Sequence, residues 1–559
     1  MKDTMMSSLF IHPALPIFLG SFLILYFKRN SNLISIVALL ISLITLLFFI
    51  QNQSLVYTYY DFNLHYFSYN KLAFLFCLVF LVIGIIGKIF SIYRDSYKEK
   101  ALILIYISSA ISVIFSGDFI TLYIFWEIMA IASSFVIFSS PSDRAYLSGF
   151  RYLLIHLFGG LILLIGIIGL SMNTNNLEIR LLNLDTWYNW LILIGLLLNA
   201  GAPPFSSWIA DAYPEGSYSS TVFLSAYTTK TSVFVLIMTF AGSQILIYIG
   251  LYMIMYGIIY ALLENDIRRI LSYSIVNQVG FMIVGIGIGT ELSINGTTAH
   301  AFAHIIYKAL LLMSAGSVIY MIQKRKCTDV GGLYRVMPLT AICGIVGALS
   351  ISAFPLTSGF ISKSMILDGS FQEGLEFVWL MLLIGSAGVF LHAGIKFPWF
   401  VFFHKDKKII TTDPPIFMKS SMVVSSLICI LIGVMPSLLY NLLPYEVSFI
   451  PYTGNHIVSQ LHLLLFSGLA FFISLKYLER TLTITLDFDW IYRNKNRFVS
   501  HFLNIFINRA EKIKILIQSI SIKEKTVLLE SFLLKQMSIS VMVTMILIIF
   551  AIFLVLNIS

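Results

Sequence analysis

Three side chains able to carry a proton recur at one helical spacing. They are His300, His304 and Lys308, in Gly296-Thr-Thr-Ala-His300-Ala-Phe-Ala-His304-Ile-Ile-Tyr-Lys308-Ala-Leu-Leu-Leu-Met313-Ser-Ala-Gly316. Steps of four residues place all three on one stripe of a helix, drifting by roughly 40° per step. The rest of the segment is Ala, Ile, Leu and Phe. Two imidazoles and an ammonium are costly against lipid, so the stripe must face protein or water. A row of titratable groups at hydrogen-bonding or one-water spacing is what a proton relay needs. Two other readings of the same stripe stand beside it. Histidines at i and i+4 can share a zinc ion, although no acidic residue lies between them as in HExxH and no cysteine is near. The stripe can also be a hydrogen-bonded polar seam with no transport role.

Other charges sit in apolar surroundings. Glu127 lies in Ile-Phe-Trp126-Glu127-Ile-Met-Ala, and a carboxylate there either titrates or meets a cation, unless it merely marks a helix end. Lys230, in Ala226-Tyr-Thr-Thr-Lys230-Thr-Ser, is similarly placed; an ammonium held from water is a ready proton donor, and snorkelling to the interface is the plainer alternative. Lys363 follows a run that includes Pro355 and Gly359, where an unwound turn could admit water. His156, His392 and Lys396 are weaker candidates, each equally readable as a satisfied core group or an interface residue. Asn277 and Gln278 suit hydrogen bonds between helices. Asp266, before Arg268 and Arg269, reads as a residue that fixes a helix end.

The elements that must hold these groups are membrane helices. Of 559 residues, 58% are hydrophobic and 11% charged, against about 25% charged in a soluble domain. Apolar runs of spanning length recur from end to end, and the short alternating segments of a membrane barrel are missing. The expected class is an all-α polytopic membrane protein with about sixteen spans, near 9–27, 31–50, 70–92, 100–117, 119–139, 150–171, 190–213, 218–240, 244–263, 268–289, 297–322, 337–367, 377–403, 419–440, 457–477 and 537–557. Lys2 precedes an apolar run from about Leu9 with no evident cleavage site, which reads as a first span and not a removed signal. Basic residues follow the odd-numbered spans, at Lys28 and Arg29, Arg144 and Arg151, Arg268 and Arg269, and Lys324 to Lys326 among others. By the positive-inside rule those loops are cytoplasmic and the N-terminus is outside. Cytoplasmic loops also account for the net charge of +9, so no nucleic-acid partner is expected. Cys77, Cys327, Cys343 and Cys429 lack metal or disulfide spacing, and no cofactor or metal is expected.

Two spans carry breaks. The seventh contains Asn199-Ala-Gly-Ala-Pro203-Pro204-Phe-Ser-Ser-Trp208, and the twelfth contains Ser350-Ile-Ser-Ala-Phe-Pro355-Leu-Thr-Ser-Gly359-Phe-Ile-Ser-Lys363. Proline removes a backbone donor and clashes with the preceding turn. Unwound backbone at membrane depth survives only against protein or a cavity. Each break lies in the fourth helix of a five-helix unit, spans four to eight and nine to thirteen. An odd helix number inverts the second unit, and paired broken helices in inverted repeats point to a transport path. The chain divides into N-terminal helices (1–117), a first repeat (about 118–264), an inverted second repeat (265–404), C-terminal core helices (405–480), an amphipathic cytoplasmic segment (481–535) and a final span (536–559).

Trp126-Glu127, Ser207-Trp208-Ile-Ala-Asp211-Ala, Thr229-Lys230-Thr, Asp266-Ile-Arg-Arg-Ile-Leu-Ser-Tyr-Ser, Asn277-Gln278-Val-Gly280, His300-xxx-His304-xxx-Lys308-Ala-Leu-Leu and Gly359-Phe-Ile-Ser-Lys363 occur in this order. As a set they resemble the antiporter-like subunits shared by Mrp-type multisubunit Na+/H+ antiporters, respiratory complex I and membrane-bound hydrogenases. The wording around Tyr213-Pro-Glu, Phe223-Leu-Ser and Thr228 to Thr231 is most similar to the D-type subunit of the Mrp antiporters. The resemblance spans roughly residues 70–440. It implies inverted five-helix repeats, partner subunits in a hetero-oligomeric complex, protons and monovalent cations as cargo, and a bacterial inner-membrane location. It implies roles too: Glu127 as the fifth-helix glutamate, Lys230 as the central eighth-helix lysine, His300, His304 and Lys308 as the connecting relay, and Lys363 as the twelfth-helix lysine. Asp211 and Gln278 fall inside the shared motifs as supporting positions. One departure matters. The family usually carries a seventh-helix lysine nine residues before the tryptophan of Trp-x-x-Asp-Ala, and here that position is Asn199. Either Lys230 becomes the partner of Glu127, or part of the coupled cycle is lost. The amphipathic tail with its last span is more like the lateral-helix extension of complex I's distal pump subunit. The alternatives to an antiporter subunit are therefore a proton-pumping membrane-arm subunit of a redox complex and a degenerate scaffold.

Overall fold

The computed structural model describes residues 11–48, 54–59, 62–94 and 96–479, together with Asp487 and Trp490. The chain divides into two compact units, Met1–Asp489 and Trp490–Ser559. The expected amphipathic segment (481–535) lies almost wholly, and the final span (536–559) wholly, outside the described residues.

Helix meets each of the first fifteen expected spans, with ends shifted by a few residues. Among the described residues eleven helices are long and apolar enough to cross a membrane, and Ala14–Tyr26, Trp187–Ala200 and Pro338–Ile351 are shorter apolar ones. The chain is an integral membrane protein of all-α class. Its outer face is apolar: Leu19, Phe22, Leu40, Ile124, Phe158, Leu161 and Tyr248 are exposed. In water that would be a liability; against lipid it is the expected surface.

Seven of the helices begin where a side chain satisfies a first free N–H group. Asn70, Ser96, Asp118, Ser142, Asp266, Thr290 and Thr453 each accept from a backbone N–H in the first turn of the helix, contributing about 1 kcal/mol apiece. Asp266 thus does fix its helix end. One element was not anticipated: an antiparallel hairpin of Ser54–Tyr59 with Phe62–Ser68 between the second and third spans. It is anchored from outside itself. His65 N–H donates to Asp118 Oδ2 and Gly117 N–H to His65 O, contacts that no local pattern announces.

The eleventh span, Glu291–Ile322, is the axis of the molecule. It is buried on every side from Ser293 to Val318 and packs against the third, eighth, tenth, twelfth and fourteenth spans. The seventh, eighth, twelfth and thirteenth spans depart from regular α-helix. The seventh ends at Ala200, turns through Gly201 at φ +82° and resumes over Trp208–Ala212. Trp208 Nε1 donates back to Leu198 O at 3.1 Å, joining the Gly201 N–H on that carbonyl and tying the resumed helix to the end of the first half. The twelfth is split into Pro338–Ile351 and Ser358–Gln372. Between the halves Ala353 and Leu356 hold left-handed φ of 57° and 69°, a strain of about 1–3 kcal/mol each. The eighth is split at Tyr227 into Ser220–Ala226 and Thr228–Phe240. The thirteenth continues from Glu376–Val389 into π-helix over Phe390–Lys396 and Trp399–Phe403, a form that often marks functional sites.

Candidate proton path

The stripe on the eleventh span is wholly buried: His300, His304 and Lys308 are each 0% exposed. Each meets a different environment. His300 Nε2 lies 3.1 Å from Gln278 Oε1, and Tyr307 O–H donates to the same oxygen at 3.1 Å. Gln278 Nε2 donates to Asn277 Oδ1 at 2.5 Å, which orients the amide with Oε1 toward the histidine. An amide oxygen only accepts, so the neutral ring carries its proton on Nε2 and presents Nδ1 as a base. Nδ1 faces Ser362 Oγ at 3.3 Å, one residue from Lys363. His304, with its ring centroid 6.4 Å from that of His300, leaves both nitrogens buried and without a hydrogen-bond partner. Lys308 Nζ donates to Leu271 O at 3.2 Å and Ser274 Oγ at 2.9 Å. Its partners are neutral, so no carboxylate holds its charge in place.

Two lysines flank the stripe. Lys230 is buried just past the split in the eighth span. Tyr106 O–H accepts from Thr228 N–H at 3.0 Å, and Lys230 Nζ donates to Ser225 O at 2.6 Å and Thr229 Oγ1 at 3.0 Å. The interrupted helix thus supplies both the reason for the kink and a carbonyl for the amine. Lys363 repeats the arrangement in the twelfth span. Its Nζ donates across the break to Ile351 O at 3.0 Å and stands 4.9 Å from the centroid of Phe281. Lys230, Lys308, His300 and Lys363 all act electrostatically on His304.

Glu127 is set apart from this group. Lys230 does not become its partner, since the lysine's donors are turned to its own helix. Glu127 Oε1 is buried with no hydrogen-bond partner. It presses on the sixth span (Asp143–Thr174) at Gly160, where an added Cβ would stand 1.8 Å from that oxygen. Only glycine permits so close an approach. Asn199, at the position of the family's usual seventh-helix lysine, bonds His156, Oδ1 to Nδ1 at 2.5 Å.

The remaining candidates separate by role. Arg151 binds Asp211 in a fork, Nε to Oδ2 at 2.6 Å and the terminal nitrogen to Oδ1 at 2.8 Å, tying the sixth span to the broken seventh. Lys396 Nζ donates to Ala261 O, Leu262 O and Glu264 O at 2.6, 2.8 and 2.6 Å. It closes the C-terminal end of the ninth span, where carbonyls lack helical partners. His392 Nδ1 lies 2.8 Å from Gly388 O, and Lys308 acts on it electrostatically. Asn277 Nδ2 donates to Ile254 O at 3.0 Å, across helices as expected. Ser274, Tyr307 and Ser362 were not anticipated; their only sequence signal was adjacency to Lys308 and Lys363 or a place in the tenth span.

Comparison with known proteins fits this geometry. Residues 116–390 match the transmembrane family described as NADH:quinone oxidoreductase/Mrp antiporter. An uncharacterised protein of Methanocaldococcus jannaschii is 28% identical over 60% of this chain and 74% of its own length. The D-type Na+/H+ antiporter subunit of Alkalihalophilus pseudofirmus is 27% identical over 69% of this chain and 85% of its own. The N-type NADH-quinone oxidoreductase subunit of Desulforudis audaxviator is 29% identical over 53% and 62%. The chain spans 52% and 42% of the longer A-type antiporter subunits of Staphylococcus haemolyticus and A. pseudofirmus. Among solved structures, a chain of the Mrp complex from Dietzia sp. DQ12-45-1b superposes with TM-score 0.71 at 18% identity, covering 78% of this chain and 96% of that one. A chain of the membrane-bound sulfane sulfur reductase, an archaeal respiratory membrane complex, superposes with TM-score 0.72 at 21% identity, covering 97% and 99%. The fold is therefore shared with these chains of membrane complexes, and residues 116–390 are similar to the membrane-spanning region of the NADH:quinone oxidoreductase/Mrp antiporter family.

Proposed function

We propose that the chain, which carries the membrane-spanning region of the NADH:quinone oxidoreductase/Mrp antiporter family over residues 116–390, is the proton-translocating, cation-coupled subunit of a multisubunit Na+ or K+/H+ antiporter. One observation carries the reading. Three buried lysines, Lys230, Lys308 and Lys363, accompany the buried histidines, and each amine is held by neutral oxygens and none by a carboxylate. Such amines are free to exchange protons, whereas a locked ion pair would be merely structural. Protons enter the first half near Glu127 and Lys230, cross by Lys308, His304 and His300, and leave by Lys363. The two helix breaks lie next to Asn199 and Lys363, where unwound backbone gives access from opposite sides. The inverted repeat, the outside N-terminus and the cytoplasmic 481–535 segment belong to the same reading. The test is Lys230→Ala in everted vesicles carrying the assembled complex, with ΔpH read by an acridine dye after Na+ or K+ is added. Exchange is expected to vanish; wild-type exchange at normal assembly would overturn the relay.

A second reading has its own support. The sulfane sulfur reductase chain matches almost end to end, the Mrp chain over 78% of this one, and one relative is a subunit of NADH-quinone oxidoreductase. On that reading the same relay serves the membrane arm of a respiratory complex, with redox centres in partner subunits. Proteins co-purified with this chain decide between them: small membrane proteins for the antiporter, iron–sulfur proteins for the redox complex.

A further inference from the structure

The seventh-span cation usual in this family is replaced by Asn199, yet the pocket beside Glu127 has not become inert. His156, on the sixth span, is 1% exposed, and Asn199, in the last turn before the break in the seventh, is 0% exposed. The 2.5 Å contact runs from His156 Nδ1 to Asn199 Oδ1, and an amide oxygen can only accept. The ring proton therefore sits on Nδ1, and Nε2 is left as the basic atom. Nε2 has no hydrogen-bond partner, nor has Asn199 Nδ2 or Glu127 Oε1. Two of these atoms belong to one hydrogen-bonded pair, and buried polar atoms left unpaired are costly unless the place is used. The ring is also clamped: its centroid lies 4.0 Å from that of Tyr152 and 4.6 Å from that of Trp208. Glu127 presses on Gly160, which is one helical turn from His156 on the same face, roughly 6 Å along the axis.

We infer that His156 is the proton-carrying partner of Glu127 in this chain, and that Asn199 is a positioning residue that fixes its tautomer. This deepens the proposed function and rests on it. The step is simple to balance. Nε2 takes one proton, the imidazolium keeps its Nδ1–H on Asn199, and the same proton leaves from Nε2. Charged, the ring stands one helical turn from the glycine that Glu127 touches, so the Glu127–His156 pair has the same net charge as a glutamate–lysine pair. The positive group has moved from the seventh helix to the sixth, and the asparagine left behind has become its anchor. The hydroxyl chain beyond the ring, Tyr152 with Ser133 at 2.9 Å and with Thr228 at 3.4 Å, leads toward the segment that holds Lys230.

The discriminating variants are H156Q, N199L and the double variant H156Q/N199K, assayed in the native complex in everted vesicles with Na+ and K+ each added. Glutamine keeps a hydrogen bond to Asn199 but carries no proton, so H156Q is expected to lose exchange by about a hundredfold, or to background. The double variant returns a cation to the seventh span and is expected to recover exchange. A merely structural histidine would not be rescued by a lysine on another helix. N199L leaves the ring but removes its anchor, and is expected to lose about tenfold at normal assembly. Wild-type exchange in H156Q, or failure of the double variant to recover when assembly is intact, overturns the inference. If H156Q does not assemble, full exchange in N199L overturns it. In either case, loss of exchange in Lys230→Ala leaves the proposed function standing, so the two failures are distinguishable.

Discussion

Replacing Gly160 by alanine tests the geometry at Glu127 directly. The new Cβ would stand 1.8 Å from Glu127 Oε1, where a carbon–oxygen contact needs roughly 3.3 Å. The carboxylate must then retreat by about 1.5 Å. Because the displaced atom is the tip of a flexible side chain, the folding cost is small, about 1 kcal/mol for an off-rotamer glutamate. The functional cost is large. A misplacement of about 1 Å in a reacting group can lower a rate about a hundredfold. The expected result is a complex that assembles in normal amount but shows no ΔpH-linked cation exchange in everted vesicles. Gly159→Ala is the matched control. Its Cβ meets Leu198 Cδ2 at 3.0 Å, an apolar contact that shifts by a few tenths of an ångström, and exchange should stay within about twofold of wild type. If Gly160→Ala exchanges cations like wild type, Glu127 does not work from the position seen here. If both variants fail equally, the effect is one of helix packing and the reasoning from the carboxylate is refuted.

Two further substitutions separate relay from scaffold. Gln278→Leu removes the oxygen shared by His300 and Tyr307. It should cost about 1–3 kcal/mol of stability and uncouple transport, because His300 loses the contact that fixes its tautomer; transport at wild-type rate would show that the tautomer is irrelevant. Lys396→Met removes three donors from the end of the ninth span. It should lower the yield of assembled complex and its thermal stability by about 2–3 kcal/mol, while exchange per assembled complex stays near normal; selective loss of exchange would instead place Lys396 on the path.

Local spacing was enough to find the relay helix. Residues four apart on a helix share a face whatever surrounds them, so His300, His304 and Lys308 were legible at once. Prolines announced the breaks in the seventh and twelfth spans because their missing N–H acts locally. The run of Asp266, Arg268 and Arg269 announced its own helix start for the same reason. Glu127, Lys230 and Lys363 stood out as charges in apolar runs, the family resemblance gave them roles, and composition marked a membrane protein. Tertiary structure decided the rest. The eighth span carries neither proline nor glycine at Tyr227, and it kinks because Tyr106, on another helix, takes a backbone N–H. Lys396 could be read as a proton-path candidate, a core group or an interface residue, and its amine is seen to close a helix end more than a hundred residues away in sequence. Asp211 is bound to Arg151, sixty residues away in sequence. Asn199 read as a lost charge beside Glu127, and only packing shows that it holds His156. A side chain's type and its place along a helix are set by the sequence. Which donor meets which acceptor depends on how helices far apart in the chain come to lie together, and in a buried site that pairing determines which groups can move a proton.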